Sequence, residues 1–211
     1  MAPKILGVCC SLREEGNTEI LVRETLASAR ECGAEVEFLS LIGKNIQPCG
    51  GCLGCVKTGQ CKIDDDMKAI YPKLLEADGI IVGTPVFLWS VAGLTKVFMD
   101  RTFALRHPSL KLSNKVGAAV VVASRTGIMN AAELLTLYFK NNHMLPADIV
   151  TAFGRDKGAV RHDEFAMKEA YELGRQMVDL AALNFRFPPE YDCDFQTFVA
   201  RKYGITSPPF E

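Results

Sequence analysis

The chain alternates between short, wholly apolar runs and longer stretches in which apolar residues return every three or four positions. Lys4 to Cys9 (Lys-Ile-Leu-Gly-Val-Cys) is the first such run and has the makeup of a strand buried on both faces. Ile20, Leu21, Thr25, Leu26 and Ala29 then keep helical spacing until Gly33 supplies a stop. Val36 to Leu41 reads as a second strand, alternating in part with Glu35 and Glu37. Asp64-Asp65-Asp66 opens a helix through Glu76. Acids at that end complement the helix dipole and cap it, so the triplet reads as structural rather than metal-binding. Pro72 inside the helix predicts a kink or a restart. After the turn at Ala77-Asp78-Gly79, Ile80 to Thr84 is a third buried strand. A helix follows from Leu94 through Ala104, with Leu94, Val97, Phe98 and Phe103 inward. Val116 to Ala123 is a fourth strand, Ala131 to Lys140 a helix, and Ile149 to Ala152 a short fifth strand. The last helix runs from about His162 to Asn184, with Ala166, Ala170, Leu173, Met177, Leu180 and Ala181 on one stripe.

Strand and helix alternate five times, and the strands are too apolar to face water. That pattern specifies an α/β three-layer sandwich: a parallel sheet with helices on both faces, joined by right-handed crossovers. For five strands the flavodoxin-like order 2-1-3-4-5 is expected, with ligand at the carboxyl ends of strands one and three, where the order reverses. Residues 1–185 form this domain, interrupted by a cysteine-rich insertion at 48–62. Residues 186–211 differ in character. Phe187-Pro188-Pro189 and Ser207-Pro208-Pro209-Phe210 bracket a segment carrying Tyr191, Phe195, Phe198 and Tyr203, and such an arm is expected to lie on another subunit.

Composition narrows the class of protein. With 48% apolar and 23% charged residues, the chain is an ordinary soluble globular protein, and a net charge of −1 gives no reason to expect nucleic acid or an anionic membrane. No apolar run approaches the roughly 18 residues of a membrane span, and Met-Ala-Pro-Lys does not begin a signal peptide. A reducing cytoplasmic setting is expected, in which disulfides are disfavoured.

Three loops at the expected ligand edge carry candidate chemistry. Cys10 to Thr18 joins a strand to a helix, where free N–H groups and the dipole attract a phosphate. Ser11, Asn17 and Thr18 can add hydrogen bonds and Arg13 a charge, although Asn17 or Thr18 could equally serve as a helix cap. Pro85, Val86, Phe87, Leu88 and Trp89 follow the third strand, and large aromatic side chains there can flank a flat heterocycle or pack into core or interface. Ser124 and Arg125 follow the fourth strand and can meet the polar edge of the same ring. A phosphate cradle beside an aromatic-rich wall suits FMN.

The densest signal is Pro48-Cys-Gly-Gly-Cys-Leu-Gly-Cys-Val-Lys-Thr-Gly-Gln-Cys61, which holds four of the eight cysteines at spacing C-x2-C-x2-C-x5-C. Thiolates at consecutive x2 intervals suit a cuboidal [4Fe–4S] cluster, in which each sulfur takes a different iron. Gly50, Gly51, Gly54 and Gly59 let the backbone wrap it. A structural zinc site or plain reduced thiols are the other readings. Cys9, Cys10, Cys32 and Cys193 fall outside this spacing and read as buried thiols. His107, His143 and His162 are isolated, and no catalytic role is expected of them.

On the Cys49–Cys61 loop, Gly16-Asn17-Thr18, and Gly83-Thr84-Pro85-Val86-Phe87 with Lys96 to Arg101 behind it, the chain resembles the iron–sulfur flavoproteins, a branch of the NADPH-dependent FMN reductase-like superfamily. The resemblance covers residues 4 to about 184 at the level of fold. It implies one [4Fe–4S] cluster on Cys49, Cys52, Cys55 and Cys61. The FMN phosphate would be held by Ser11, Arg13, Asn17 and Thr18, and the isoalloxazine lined by Pro85 to Trp89. It also implies a homo-oligomer, dimer or tetramer, in which one subunit's cluster approaches another's flavin, with ferredoxin as donor. The chain departs from the family in having Cys10-Ser11-Leu12-Arg13 where Gly-Ser-Pro-Arg is usual, so a Cβ at position 10 is expected to crowd the loop. It departs again at Ala123-Ser124-Arg125-Thr126-Gly127, where the family is glycine-rich.

The expected function is a two-cofactor oxidoreductase passing electrons from a low-potential donor through the flavin to a small-molecule acceptor. One alternative is an NAD(P)H-dependent FMN or quinone reductase with a structural cysteine loop. Another is a non-enzymatic carrier or redox sensor.

Overall fold

A computed structural model of the chain describes residues 2–107, 109–188 and 200–204. Strand β1 (Lys4–Cys9) leads through a tight loop into α1 (Asn17–Glu31), and β2 (Glu35–Ser40) leads into the cysteine loop, which contains the short α2 (Gly54–Thr58). Then come α3 (Met67–Glu76), β3 (Gly79–Phe87), the two-residue β4 (Ser90–Val91) and α4 (Gly93–Arg101), which runs on as a 3-10 turn to Arg106. The chain continues through β5 (Val116–Ala123), α5 (Ile128–Asn141), β6 (Leu145–Phe153) and α6 (Glu164–Ala182).

The sheet order is β2-β1-β3-β5-β6, every neighbouring pair parallel, with β4 paired only to β3. Setting β4 aside, this is the expected 2-1-3-4-5 order. Each face of the sheet has its own apolar core. Leu6, Val8, Val82 and Val121 meet α3, α4 and α5 through residues such as Leu74, Phe98 and Leu135. Ile5, Ile81 and Val120 meet α1 and α6 through Leu21, Leu26, Ala166 and Met177. All eight residues of β5 are buried, which is why its sequence shows no alternation.

The elements differ from expectation at informative places. β3 runs three residues further, through Pro85, Val86 and Phe87, because Val86 and Phe87 pair antiparallel with Val91 and Ser90. β6 spans Leu145–Phe153 rather than four residues; its partly exposed edge position hides the apolar signal. α3 is one continuous helix through Pro72: the proline forfeits one backbone bond, while buried Met67, Ile70 and Leu74 hold the turns on either side. α6 starts at Glu164, where Asp163 Oδ1 accepts the Ala166 N–H (3.0 Å). Cys32 is exposed rather than buried, since it caps the end of α1 at the surface. Cys193 and most of the 186–211 arm lie outside the described residues. Where the arm begins, the Phe187 N–H donates to Asn114 Oδ1 (2.7 Å) on the chain's own surface. No helix among the described residues is long and apolar enough to cross a membrane.

Packing of α1 on α6 depends on a close approach at Gly174, where a Cβ would stand 2.3 Å from the Thr25 carbonyl oxygen and 2.8 Å from the Ala29 nitrogen. Replacing a mid-helix glycine by alanine ordinarily stabilises by about 1 kcal/mol. Here the added methyl meets backbone, which cannot rotate away. Gly174→Ala is therefore expected to destabilise by about 1–3 kcal/mol in urea unfolding, and a stabilised variant would refute the close approach.

Candidate functional site

The loop after β1 turns at the carboxyl edge of the sheet. Ser11 Oγ accepts the Arg13 N–H (3.1 Å) and the Gly16 N–H donates to the Arg13 carbonyl (3.2 Å), which shapes a compact cradle. Gly16 is the N-cap of α1, and no side chain caps that end. The first-turn N–H groups are thereby left to a ligand, at the positive end of the helix dipole. Asn17 does something else. Its amide is buried and donates to the carbonyls of Gly154 (3.0 Å) and Asp156 (2.9 Å), tying the cradle to the loop after β6. Gly154 permits this, since a Cβ there would fall 2.6 Å from the Asn17 Nδ2. Arg13 Nη1 donates to the Arg155 carbonyl (3.1 Å), so the same two loops are joined twice.

The crowding expected at Cys10 does not occur. Its side chain turns wholly into the core while its N–H donates to the Gly83 carbonyl (2.8 Å). Burial pushes the Cys10 thiol well above its ordinary range, and the Cys9 thiol up to about 11.

Beside the cradle, β3 and β4 form a hairpin. Its turn consists of Leu88 (φ 43°) and Trp89 (φ 68°), two left-handed non-glycine residues in succession. Such turns normally use Asn-Gly, and each bulky residue costs roughly 1–2 kcal/mol here. Two contacts hold the hairpin in place. Buried Thr84 Oγ1 accepts the Ala92 N–H (3.2 Å) and lies 2.8 Å from Thr95 Oγ1 on α4. Gly127, at φ 88°, lets the Trp89 backbone pass where a Cβ would come within 2.9 Å.

Ser11, Arg13, Asn17, Thr18, Pro85, Val86, Phe87 and Ser124 converge on a cavity of about 420 Å3 at the carboxyl ends of β1 and β3. Leu12, Gly16, Val122, Ala123, Gly154 and Arg155 complete its lining, and of these Val122, Gly154 and Arg155 were not singled out from sequence. For Gly154 and Arg155 the signal was positional: their loop follows the last strand at the same edge as the others. Leu88 and Trp89 sit at the hairpin tip, exposed, and Arg125 is likewise outside the lining.

The cysteine loop is fastened at its base. The Gln47 N–H donates to Asp65 Oδ2 (2.8 Å), the Asn45 N–H to Asp66 Oδ2 (2.7 Å), and the Asp66 N–H back to the Asn45 carbonyl (3.1 Å). Arg101, at the end of α4, reaches between the two loop ends. Both its terminal nitrogens bind the Asp65 carboxylate, and Nη1 also donates to the Gln47 carbonyl (2.8 Å). The side chains of this ion pair are fully buried. Tyr71 OH donates to the Arg101 carbonyl (2.9 Å), and Lys111 Nζ to that of Gly59 (3.1 Å). The Arg101 bond holds the Asp65 carboxyl below the usual carboxylate range despite its burial. The acidic triplet is structural, as expected, and does more than serve the helix end. The helix starts only at Met67, whose N–H donates to Asp65 Oδ1 (3.0 Å), and Asp65 and Asp66 spend their remaining oxygens closing the loop.

Cys49 and Cys52 are exposed, Cys55 and Cys61 half-buried, and all four are free thiols. Burial raises the Cys55 thiol first, and the charges of Cys61, Cys49 and Cys52 raise it further. Among the described residues no three His, Cys, Asp or Glu side chains already converge as a metal-ion site. In number and chemistry the four thiols fit the ligand set of a cluster.

A family model described as NADPH-dependent FMN reductase matches residues 3–158. An iron-sulfur flavoprotein of Methanocaldococcus jannaschii is 38% identical over 193 residues, covering 85% of this chain and 98% of the relative. The chain belongs to the iron–sulfur flavoproteins. An Archaeoglobus fulgidus iron-sulfur flavoprotein is 32% identical, covering 78% of this chain and 89% of its own. Among solved structures, RosB with a bound riboflavin-phosphate intermediate superposes with a TM-score of 0.72 at 16% identity, covering 86% of this chain and 80% of RosB. An archaeal flavodoxin superposes at 0.59 and 18% identity, covering 85% and 99%. These two share the fold. This iron–sulfur flavoprotein is accordingly a flavin-dependent oxidoreductase with FMN as cofactor.

Arg101→Met would leave the buried Asp65 carboxylate without its cation, at an expected loss of about 3–5 kcal/mol, whereas Arg101→Met with Asp65→Asn, which keeps an acceptor for the Gln47 and Met67 N–H groups, should recover part of it. A denaturation double-mutant cycle measures both. Because the folded pKa of Asp65 is depressed, its stabilisation is complete above the unfolded value of about 3.9 and is lost as pH falls through the folded value. The double variant should lose that part of the acid sensitivity.

Proposed function

We propose that this protein is a two-centre redox enzyme. Cys49, Cys52, Cys55 and Cys61 hold one [4Fe–4S] cluster, and electrons pass from a low-potential donor such as ferredoxin, by way of the cluster and FMN, to a small acceptor. The observation that carries the reading is that the four-thiol loop is fastened by Arg101 at the far end of α4, the helix whose start supports the hairpin that walls the flavin cavity. FMN, when bound, exchanges electrons singly or in pairs, which suits it to join one-electron and two-electron partners.

The chain's own groups divide the work. Ser11, Arg13 and Thr18, with the uncapped first turn of α1, bind the phosphate, and Asn17 steadies that turn through the Gly154 loop. Pro85, Val86 and Phe87 would wall the ring, with Ser124 toward its polar edge and Arg125, outside the lining, next to it in the chain. Leu12, Phe87, Leu88, Trp89, Met129 and Phe153 are exposed around this edge, an apolar rim that favours a homo-oligomer, dimer or tetramer, covering Leu88 and Trp89. The setting is cytoplasmic. A second reading, direct hydride transfer from NAD(P)H with the cysteine loop serving structure, draws on the family description.

The deciding measurement is a visible spectrum of anaerobically purified protein with iron, sulfide, zinc and flavin analysis. Flavin bands over a broad iron–sulfur shoulder, with about four iron and four sulfide per chain, are expected. Zinc, or no metal, would leave the hydride reading, which rapid bleaching by NADPH alone would then support. Cys55→Ala should lose the cluster yet keep FMN, because the two sites share no residue. Full iron in that variant would overturn the ligand assignment.

A further inference from the structure

Three carbonyls in succession after β6, those of Gly154, Arg155 and Asp156, accept hydrogen bonds from the cradle after β1. Asn17 Nδ2 donates to the first (3.0 Å) and the third (2.9 Å), and Arg13 Nη1 to the second (3.1 Å). The Gly154 N–H is spent as well, on the Ala123 carbonyl at the end of β5 (2.9 Å). The backbone that carries Arg155 is therefore pinned from two sides. Its side chain takes no part in this. Arg155 lines the cavity at the carboxyl ends of β1 and β3, is exposed, and makes no side-chain hydrogen bond or ion pair among the described residues. Arg13 lines the same cavity, and no carboxylate pairs with it among the described residues. Nearby acids are engaged elsewhere: Glu15 binds Lys157 (3.0 Å) and Glu19 binds Arg23 (2.7 Å). The Asp156 carboxylate pairs with neither arginine among the described residues. Two uncompensated cations in the wall of one cavity repel each other, and an anion between them removes that cost.

We propose that Arg155 is the second cation on the FMN phosphate, and the residue by which the cavity selects FMN over riboflavin, the same flavin without its phosphate. This rests on the reading that Ser11, Arg13, Thr18 and the first turn of α1 take the phosphate. A phosphate monoester carries a charge of about −1.5 to −2 near pH 7. Arg13 supplies one positive charge and the helix end about half of another. One further cation completes the balance, and Arg155 is the other charged residue in the lining. A planar guanidinium can meet two phosphate oxygens with two N–H groups, which an ammonium cannot do in the same way. Because Asn17 and Arg13 mount the loop on the cradle, the Arg155 backbone is in place before the ligand arrives, and less ordering is left to binding.

The test uses the full chain, freed of flavin under anaerobic conditions and titrated separately with FMN and with riboflavin by quenching of flavin fluorescence. In Arg155→Gln the FMN dissociation constant should rise at least tenfold, about 1.4 kcal/mol, while that of riboflavin stays unchanged. Arg155→Lys keeps the charge without the fork and should fall between wild type and Arg155→Gln. Arg175→Gln removes a charge on α6, outside the cavity lining, and should leave both constants as they are. Melting temperatures are measured for each variant. If Arg155→Gln does not fold, Arg155→Lys decides, with weaker FMN binding and unchanged riboflavin binding expected. An unchanged FMN constant would overturn the proposal. So would FMN and riboflavin weakened alike, since Arg155 would then only support its loop. A wild type that binds riboflavin as tightly as FMN would instead overturn the phosphate reading of the cradle.

Discussion

The Arg101–Asp65 ion pair is the constraint on which the cysteine-loop half of the molecule depends. A glycine-rich loop has little apolar surface to bury, so packing cannot hold it, and its geometry must be set at its ends. The pair does this with two side chains. Asp65 takes the Gln47 and Met67 N–H groups, and Arg101 takes the Gln47 carbonyl, so the strand side of the loop, the helix side and α4 meet at one buried point. A buried ion pair contributes little net stability compared with a well-packed apolar pair. What this one supplies is position.

α4 extends that constraint across the site. Near its start, Thr95 meets Thr84 under the hairpin that walls the cavity, and its last residue is Arg101. Six residues of helix separate those anchors, roughly 9 Å at the usual rise. The cavity wall and the base of the cysteine loop are thus mounted on one rigid strut. The strained Leu88–Trp89 turn is tolerable in the same terms. The Thr84 hydroxyl and the close contact at Gly127 fix the hairpin on both sides, so the unfavourable backbone angles are imposed by their surroundings.

The sheet order, the edge where ligand sits and the cysteine loop were legible because each is written in local pattern. Buried parallel strands read as unbroken apolar runs, and Lys4–Cys9 and Val116–Ala123 coincide with the observed strands to the residue. β6 was under-read, since at the sheet's edge Pro146 and Asp148 interrupt the run without ending the ladder. The hairpin was missed for a different reason. Its turn breaks the Asn-Gly rule, and only tertiary contacts make Leu88-Trp89 acceptable there. The Asp65–Arg101 pairing spans 36 residues and has no local signature. An arginine three residues after Phe98, on the buried face of α4, was the available hint. The Asn17 amide illustrates the limit within the site: its type suited a phosphate, but its neighbours Gly154 and Asp156 lie more than a hundred positions away.

The cysteines show how one residue type is divided between two tasks by environment alone. Metal ligation needs thiolates, so affinity falls wherever deprotonation is opposed. Cys9 and Cys10 stand at the end of β1, next to the phosphate cradle, where burial raises both thiols far enough to keep them neutral near pH 7. A charge at that position would oppose an anionic phosphate, and a reactive sulfur would compete for metal; burial removes both hazards at once. In the insertion, by contrast, Cys49 and Cys52 are open to water and Cys55 and Cys61 only half covered. The fold keeps its two thiol populations apart by where it places the backbone. One domain thus holds buried thiols beside the α1 cradle and exposed or half-covered ones in the insertion.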